Sequence, residues 1–134
     1  MKLSSNTETV AAAPEKIFNL LVSFAHADHT PAIPQVSDWT NLEDGFQFTI
    51  AGMITCTMRL ADQHPFSRVE YQVSTDKGIS ATAAFLIEEA GDCSQLRIEA
   101  DADAPIFMQA MIKNPLEQAM NKGLAKLKEM AEKM

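Results

Sequence analysis

The sequence contains few of the features that would constrain it covalently or place it in a membrane. It has two cysteines, Cys56 and Cys93, in 134 residues, and neither lies in the Cys/His spacing of a structural zinc site. Both are therefore expected to be free thiols, as is usual in a reducing compartment. No run approaches the roughly 18 apolar residues of a transmembrane helix, and the first residues lack the apolar core of a signal peptide. These absences predict a cytoplasmic protein with no membrane insertion.

Basic residues are also scarce. The chain has 11 lysines and arginines against 18 aspartates and glutamates, for a net charge of -7. Such a surface repels polyphosphate, so we expect no nucleic-acid partner.

A chain of this length, with 46% apolar residues, fits a single domain over residues 1–134 that needs no disulfide or metal to fold.

Apolar residues recur at every second position through most of the chain between Phe46 and Ala102, which is the period of a half-buried strand. Turn signals such as Asp76-Lys77-Gly78 separate the rows, and Asp62 to Pro65 is expected to be a loop. Because the connections are short, the strands should run antiparallel. The residues predicted to share the inner face are Phe46, Phe48, Ile50, Ile54, Cys56, Met58, Leu60, Val69, Tyr71, Val73, Ile79, Ala81, Ala83, Phe85, Ile87, Leu96, Ile98, Ala100 and Ala102.

Two helices are predicted at the ends of this strand region. Residues 2–10 could form an edge strand, and a short helix should follow, with Pro14 in its first turn. From Pro115 to Met134 the apolar residues have helical spacing and form a methionine-rich stripe, which predicts a long amphipathic helix. Phe107 and Met111 project to the opposite side, so we expect a break or kink at Asn114-Pro115 and a separate segment over residues 104–113.

The element order resembles the helix-grip fold of the START-like (SRPBCC) superfamily, which includes polyketide cyclases and lipid-transfer domains. The local cues are the segment Val10-Ala11-Ala12-Ala13-Pro14-Glu15-Lys16-Ile17-Phe18 and the amphipathic C-terminal helix. The resemblance is to small bacterial members of that superfamily. It implies an α+β fold in which a curved antiparallel sheet of about six or seven strands surrounds the C-terminal helix, with short helices after the first strand. It also implies an apolar cavity for a hydrophobic ligand.

The residues themselves leave two interpretations of the inner face open. Small side chains such as Ala81 and Ala100 lie among large ones, so they either admit close packing by their neighbours or leave space for a ligand. Gly123, on the inward stripe of the last helix, could likewise allow close approach to the sheet. If a cavity exists, the residues predicted to bind a small hydrophobic molecule are Phe48, Met58, Tyr71, Phe85, Ile98, Met120 and Leu124.

Polar residues give weaker signals. His26, Asp28 and His29 could ligate a metal, although a solvated loop is the more common role for such a cluster. No catalytic residue, metal or cofactor is assigned. We therefore predict a protein that binds or carries a lipid-like or polyketide-like molecule. The alternatives are a cyclase- or hydrolase-like enzyme on the same scaffold, which would need an ionisable inner-face group, and a protein-interaction module; a homodimer is possible.

Overall fold

The structure is a computed structural model, and it describes residues 1–23, 36–50 and 52–133. The strands and helices, in chain order, are β1 (Lys2–Ser4), β2 (Glu8–Val10), α1 (Pro14–Ser23), β3 (Val36–Asn41), β4 (Gly45–Ile50), β5 (Ile54–His64), β6 (Arg68–Thr75), β7 (Ser80–Ala90), β8 (Cys93–Asp103) and α2 (Ile106–Lys133). This is an α+β arrangement in which the strands precede one long terminal helix, as the sequence predicts.

All strand pairs are antiparallel, and the strand order across the sheet is β1-β8-β7-β6-β5-β4-β3. β2 also pairs with β8, so the predicted N-terminal edge strand is two short strands on the same neighbour. Between them, the Ile98 amide donates to the Ser5 hydroxyl at 2.8 Å and the Ser5 amide donates to the Ile98 carbonyl at 2.9 Å. The sheet therefore stays bonded across the interruption. The described residues form eight strands, one or two more than predicted, because the N-terminal edge strand is divided in two and β3 is included. They form the curved wall of a helix-grip fold, which confirms the predicted fold class.

The hairpin turns lie where the turn signals predict them. Gly52, Gly78 and Gly91 all have positive φ angles, which glycine adopts without steric cost. The predicted loop from Asp62 to Pro65 is wrong, because β5 continues to His64 and pairs with β6 to its end. A register shift between Leu60 and Asp62 breaks the alternation there and hides the strand from a period-two pattern.

The first helix, α1, begins at Pro14 as predicted. Pro14 has no N–H to leave unpaired in the first turn, and Glu15 lies at the positive end of the helix dipole. The helix buries one face against the sheet and α2, through Ile17, Phe18, Leu20 and Leu21.

The second helix, α2, is continuous through Pro115, so the predicted break at Asn114-Pro115 is wrong. Pro115 cannot donate to the Met111 carbonyl, but both residues are exposed and water can reach that carbonyl. Ile112 is buried and Met108 is partly buried against it, so the inward stripe extends past the proline toward the start of the helix. Phe107 and Met111 are exposed on the other side, as their spacing indicates.

Side chains of α2 hold the helix along the β1–β2 edge of the sheet. Glu117, Asn121 and Glu132 accept hydrogen bonds from the backbone amides of Ser4 (3.2 Å), Asn6 (2.7 Å) and Ala11 (2.9 Å) respectively. These residues lie on one flank of the helix and take the place of a further strand at the edge. Within the part of the chain that the structure describes, no helix is long and apolar enough to cross a bilayer.

Candidate ligand cavity

A cavity of about 210 Å³ lies between α2 and the inner face of the sheet. Strands β3 to β8 contribute most of its wall, α2 covers it, and Leu21 of α1 and Leu3 of β1 close parts of the boundary. The described residues that line it are Leu3, Leu21, Trp39, Phe46, Phe48, Ile50, Ile54, Cys56, Met58, Tyr71, Val73, Thr75, Ile79, Ala81, Ala83, Phe85, Ile98, Ala100, Ala102, Leu116, Ala119, Met120, Gly123 and Leu127.

An aromatic cluster forms one side of the cavity. Trp39 stacks on Phe46 with ring centroids 4.6 Å apart, and on Phe48 at 5.6 Å. Tyr71 contacts Phe46 and Phe85 edge to face, at 5.5 and 6.0 Å. Such ring geometries are favourable beyond the burial of area alone. The cluster is therefore a rigid wall that presents flat apolar surfaces to the cavity.

Small side chains form a patch beside the aromatic cluster, with Ala83 directly across from Tyr71 in the sheet. Ala81 pairs with Ala102 and Ala83 pairs with Ala100 across β7 and β8, which places four alanines in one patch on the inner face. Gly123 of α2 also lines the cavity, and a Cβ added there would meet no atom within 4 Å. Gly123 therefore faces open space rather than allowing close approach to the sheet. The inner face is not filled by its neighbours, which decides between the two interpretations left open by the sequence.

Few polar groups line the cavity, and three of them, the Trp39 indole and the hydroxyls of Tyr71 and Thr75, have hydrogen-bond partners. The Tyr71 hydroxyl donates to the Leu21 carbonyl at 2.7 Å, and its burial raises the pKa of the phenol. The Thr75 hydroxyl accepts from the amide of Ile79 at 3.1 Å in the β6–β7 turn. Burial, with a smaller contribution from the Asp76 carboxylate, raises the pKa of the Cys56 thiol to about 11. Among the described lining residues, both ionisable groups are therefore neutral at neutral pH.

Six of the seven residues predicted to bind the ligand line this cavity: Phe48, Met58, Tyr71, Phe85, Ile98 and Met120. The seventh, Leu124, is fully buried in the main hydrophobic cluster, among residues of α1 and the sheet, rather than on the cavity wall. Helical spacing places Leu124 on the inward side of α2, but it does not separate the part of that side that faces the cavity from the part that packs. A ligand-binding role for the six remains a prediction.

Trp39 is not among the residues predicted to bind a ligand, but the structure places it in the aromatic wall. A bulge in β3 puts two residues, Asp38 and Trp39, opposite Phe48 of β4, and Asp38 adopts a positive φ of 55°. The bulge cannot be read from alternation, although an aspartate before a lone tryptophan is compatible with one.

The histidine-containing segment with His26, Asp28 and His29 lies outside the described residues. Within the described ranges, no three His, Cys, Asp or Glu side chains are grouped to hold a metal ion.

Comparison with known proteins identifies the family. Residues 1–132 match the family described as polyketide cyclase/dehydrase and lipid transport. The chain therefore belongs to this family, and the START-like resemblance is confirmed. No curated protein matches the sequence.

Solved structures share the fold at low sequence identity. The chain is similar to a START superfamily protein from Mycobacterium smegmatis (14% identity, TM-score 0.74, covering 98% of this chain and 97% of that one). It is also similar to a protein from Thermobifida fusca (18%, 0.72, 98% and 93%) and to one from Chromobacterium violaceum (13%, 0.73, 98% and 98%). These similarities concern the fold and span nearly the full length of each chain.

Proposed function

We propose that this protein binds a small, largely apolar molecule in the cavity between α2 and the sheet, and that it acts as a carrier or receptor for that molecule. The observation that supports this most directly is the unfilled space itself. Folded interiors normally close-pack, and an apolar void lowers stability unless something occupies it. Gly123 supports the same conclusion. Glycine weakens a helix by about 1 kcal/mol relative to alanine, and no neighbouring atom requires so small a residue at this position.

The dimensions and the wall indicate the kind of molecule. The volume of about 210 Å³ is below the roughly 300–1,000 Å³ of pockets for drug-sized ligands. A single alkyl chain or a small ring system therefore suits it better than a large lipid with two chains. Affinity would come from burial of apolar surface against the aromatic wall and the alanine patch.

Binding is favoured over catalysis by the chemistry of the described wall. A cyclase or hydrolase needs a group that can take or give a proton near neutral pH. Tyr71 and Cys56 have pKa values raised by burial, and both are held in the neutral form. A hydroxyl bonded to Leu21 and a thiol of this kind are poor acids and bases under those conditions.

The proposal is tested with an uncharged probe and one matched pair of variants. Trp39 is the only tryptophan and lines the cavity, so its fluorescence should change when decanol binds. Ala119→Leu fills the cavity from α2, whereas Ala125→Leu makes the same change on the exposed side of the same helix. We expect Ala119→Leu to weaken decanol binding at least about tenfold, by loss of apolar contact area, and Ala125→Leu to leave it unchanged.

Native mass spectrometry of freshly purified protein gives an independent measurement. A co-purified small molecule should be present in the wild type and depleted in Ala119→Leu. Equal decanol affinity in both variants and the wild type, or no fluorescence change and no heat of binding, would show that the cavity is not a binding site.

A further inference from the structure

The strong hydrogen-bond donors of the described cavity wall, which are the Trp39 indole N–H and the hydroxyls of Tyr71 and Thr75, are engaged within the protein, and the Cys56 thiol is a weak donor. The Tyr71 proton is donated to the Leu21 carbonyl, and the Thr75 hydroxyl is engaged in the β6–β7 turn. A carbonyl or carboxylate placed deep in the cavity would lose its bonds to water without replacement. Any polar head of a ligand must therefore lie at the boundary of the cavity, where solvent and surface side chains reach it.

Two lysines of α2 do not line the cavity but are helical neighbours of residues that do. Lys122 and Lys126 each follow a cavity-lining residue, Ala119 and Gly123 respectively, by three positions. Residues three apart on a helix are surface neighbours, roughly 5–6 Å apart at Cβ. Both lysines lie away from the flank that carries Asn121, which is bonded to the β1–β2 edge. Their stems can lie along the apolar surface while the ammonium groups stay in water.

The charge on this part of α2 differs from that of the rest of the chain. The stretch from Lys122 to Lys133 carries four lysines and two glutamates, whereas the whole chain has a net charge of -7. Favourable interaction with the helix dipole explains basic residues in the last turn only. Lys122 lies three turns before the helix ends, so the dipole does not account for it.

Two lysines of this stretch share one carboxylate partner. Glu129 contacts Lys133 at 2.7 Å and Lys126 only at 3.7 Å, so one carboxylate is shared between two ammonium groups. The pKa of Glu129 is lowered, chiefly by its hydrogen bond to Lys133. The side chain of Lys126 is only 25% exposed, which places most of its stem against the protein. Its ammonium group therefore lies at the long end of ion-pair distance from a carboxylate that is hydrogen-bonded to Lys133.

From this arrangement we infer that the ligand is a single-chain amphiphile with an anionic head, whose chain occupies the cavity and whose head contacts Lys122 and Lys126. This inference rests on the proposed function, since it needs the cavity to accept an apolar chain. The head group can be a carboxylate or a sulfate, because both present anionic oxygens to an ammonium group. The two lysines are binding residues that set specificity, and they leave the affinity for an uncharged chain unaltered.

The test compares three probes of equal chain length: decanoate, decanol and decyltrimethylammonium. Affinities are measured by Trp39 fluorescence or calorimetry on the full chain. Exposed charge contacts contribute modestly, a factor of about two to five each. We therefore expect the ratio of decanoate to decanol affinity to fall about tenfold in the double variant Lys122→Gln/Lys126→Gln. The control variant Lys2→Gln/Lys113→Gln removes two exposed lysines elsewhere and should keep the wild-type ratio.

The outcomes separate the two proposals. If decanol binds but the ratio is the same in the wild type and the Lys122/Lys126 variant, the carrier function stands and the anionic-head inference is overturned. Preferred binding of decyltrimethylammonium by the wild type would also overturn it. If none of the three probes binds, the proposed function itself fails. Decyl sulfate is a fourth probe, which compares a sulfate head with the carboxylate of decanoate. Binding that matches decanoate and falls equally in the variant supports recognition of the anionic charge, whereas retained binding in the variant contradicts the role of the lysines.

Discussion

At the scale of single residues, the cavity is a place where ordinary side chains acquire unusual properties through burial. Cys56 lies on the inner face of β5 between Thr55 and Thr57, and it is 4% exposed. Desolvation disfavours the thiolate and is the main cause of the raised pKa, and the Asp76 carboxylate adds a smaller contribution. The same logic applies to Tyr71. Burial raises the pKa of its phenol, and the hydrogen bond to the Leu21 carbonyl fixes the position of the hydroxyl.

Cys56 should therefore react slowly with thiol reagents. A rise in pKa from 9.0 to about 11 lowers the thiolate fraction at neutral pH by a factor of about 100. In a Cys93→Ala variant, which leaves Cys56 as the only thiol, labelling by a disulfide reagent should be slower than that of unfolded protein by at least this factor. Saturating decanol should slow it further, because the thiol lines the cavity. Labelling at the rate of the unfolded chain, with or without decanol, would contradict this placement.

At the scale of elements, the strands were predictable and the terminal helix only in part. Alternation has a period fixed by strand geometry, so the inner faces of β4 to β8, from Phe46 to Ala102, follow directly from the sequence. Phe107 and Met111 form the more conspicuous apolar pair before Pro115, and their spacing favours a break at the proline although α2 is continuous there. The stripe through Met108 and Ile112 lies one position further along. The hydrogen bond lost at one exposed proline destabilises the helix less than the packing on either side of it stabilises the helix.

The cavity is harder to predict because it depends on the distance between elements. The sequence identifies Gly123 as inward-facing, but a missing side chain can bring two backbones together or leave them apart. The outcome is set by α1, by the bulge that turns Trp39 inward, and by the edge contacts of α2, which are long-range features. A local sequence pattern contains no information about such long-range contacts.

Substitution of Gly123 tests this description of α2. Gly123→Ala should raise the free energy of unfolding by up to about 1 kcal/mol, because alanine is the better helix former and its Cβ meets no atom within 4 Å. Chemical denaturation measures the change. Gly45→Ala is the matched control, since a Cβ there would overlap the Met58 carbonyl in the neighbouring strand, and it should destabilise the protein. Loss of stability in Gly123→Ala would mean that α2 lies closer to the sheet than described.

At the scale of the whole molecule, charge and apolar surface are separated. The arginines of the outer surface pair with neighbouring carboxylates, for example Arg68 with Glu70 at 2.9 Å, while the described cavity wall is neutral. Exposed pairs of this kind contribute little to stability. The stability of the fold therefore depends mainly on buried apolar contacts, and its pH dependence on the few buried groups that can ionise.

This distribution predicts that the protein loses stability in alkali. A buried acid whose pKa is raised in the folded state is protonated there while the unfolded chain has already released the proton, so unfolding becomes more favourable as pH increases. For Cys56 the loss begins near 9.0 and is complete near 11, and it amounts to about 3 kcal/mol. Tyr71 adds to the loss above the ordinary pKa of its phenol, because burial raises its pKa as well.

Denaturation series across this pH range, on wild type and on Cys56→Ala, measure the effect. The fall is measured from each protein's own stability at neutral pH. Between neutral pH and about 11, the free energy of unfolding of the variant should fall by about 3 kcal/mol less than that of the wild type. Tyr71 is the only tyrosine, so its phenolate absorbance provides a second readout. The phenolate should appear together with unfolding rather than before it, because the folded cavity retains the proton. Titration of Tyr71 at the ordinary tyrosine pKa in protein that is still folded would show that the phenol is solvated, and that the cavity is open to water at that position.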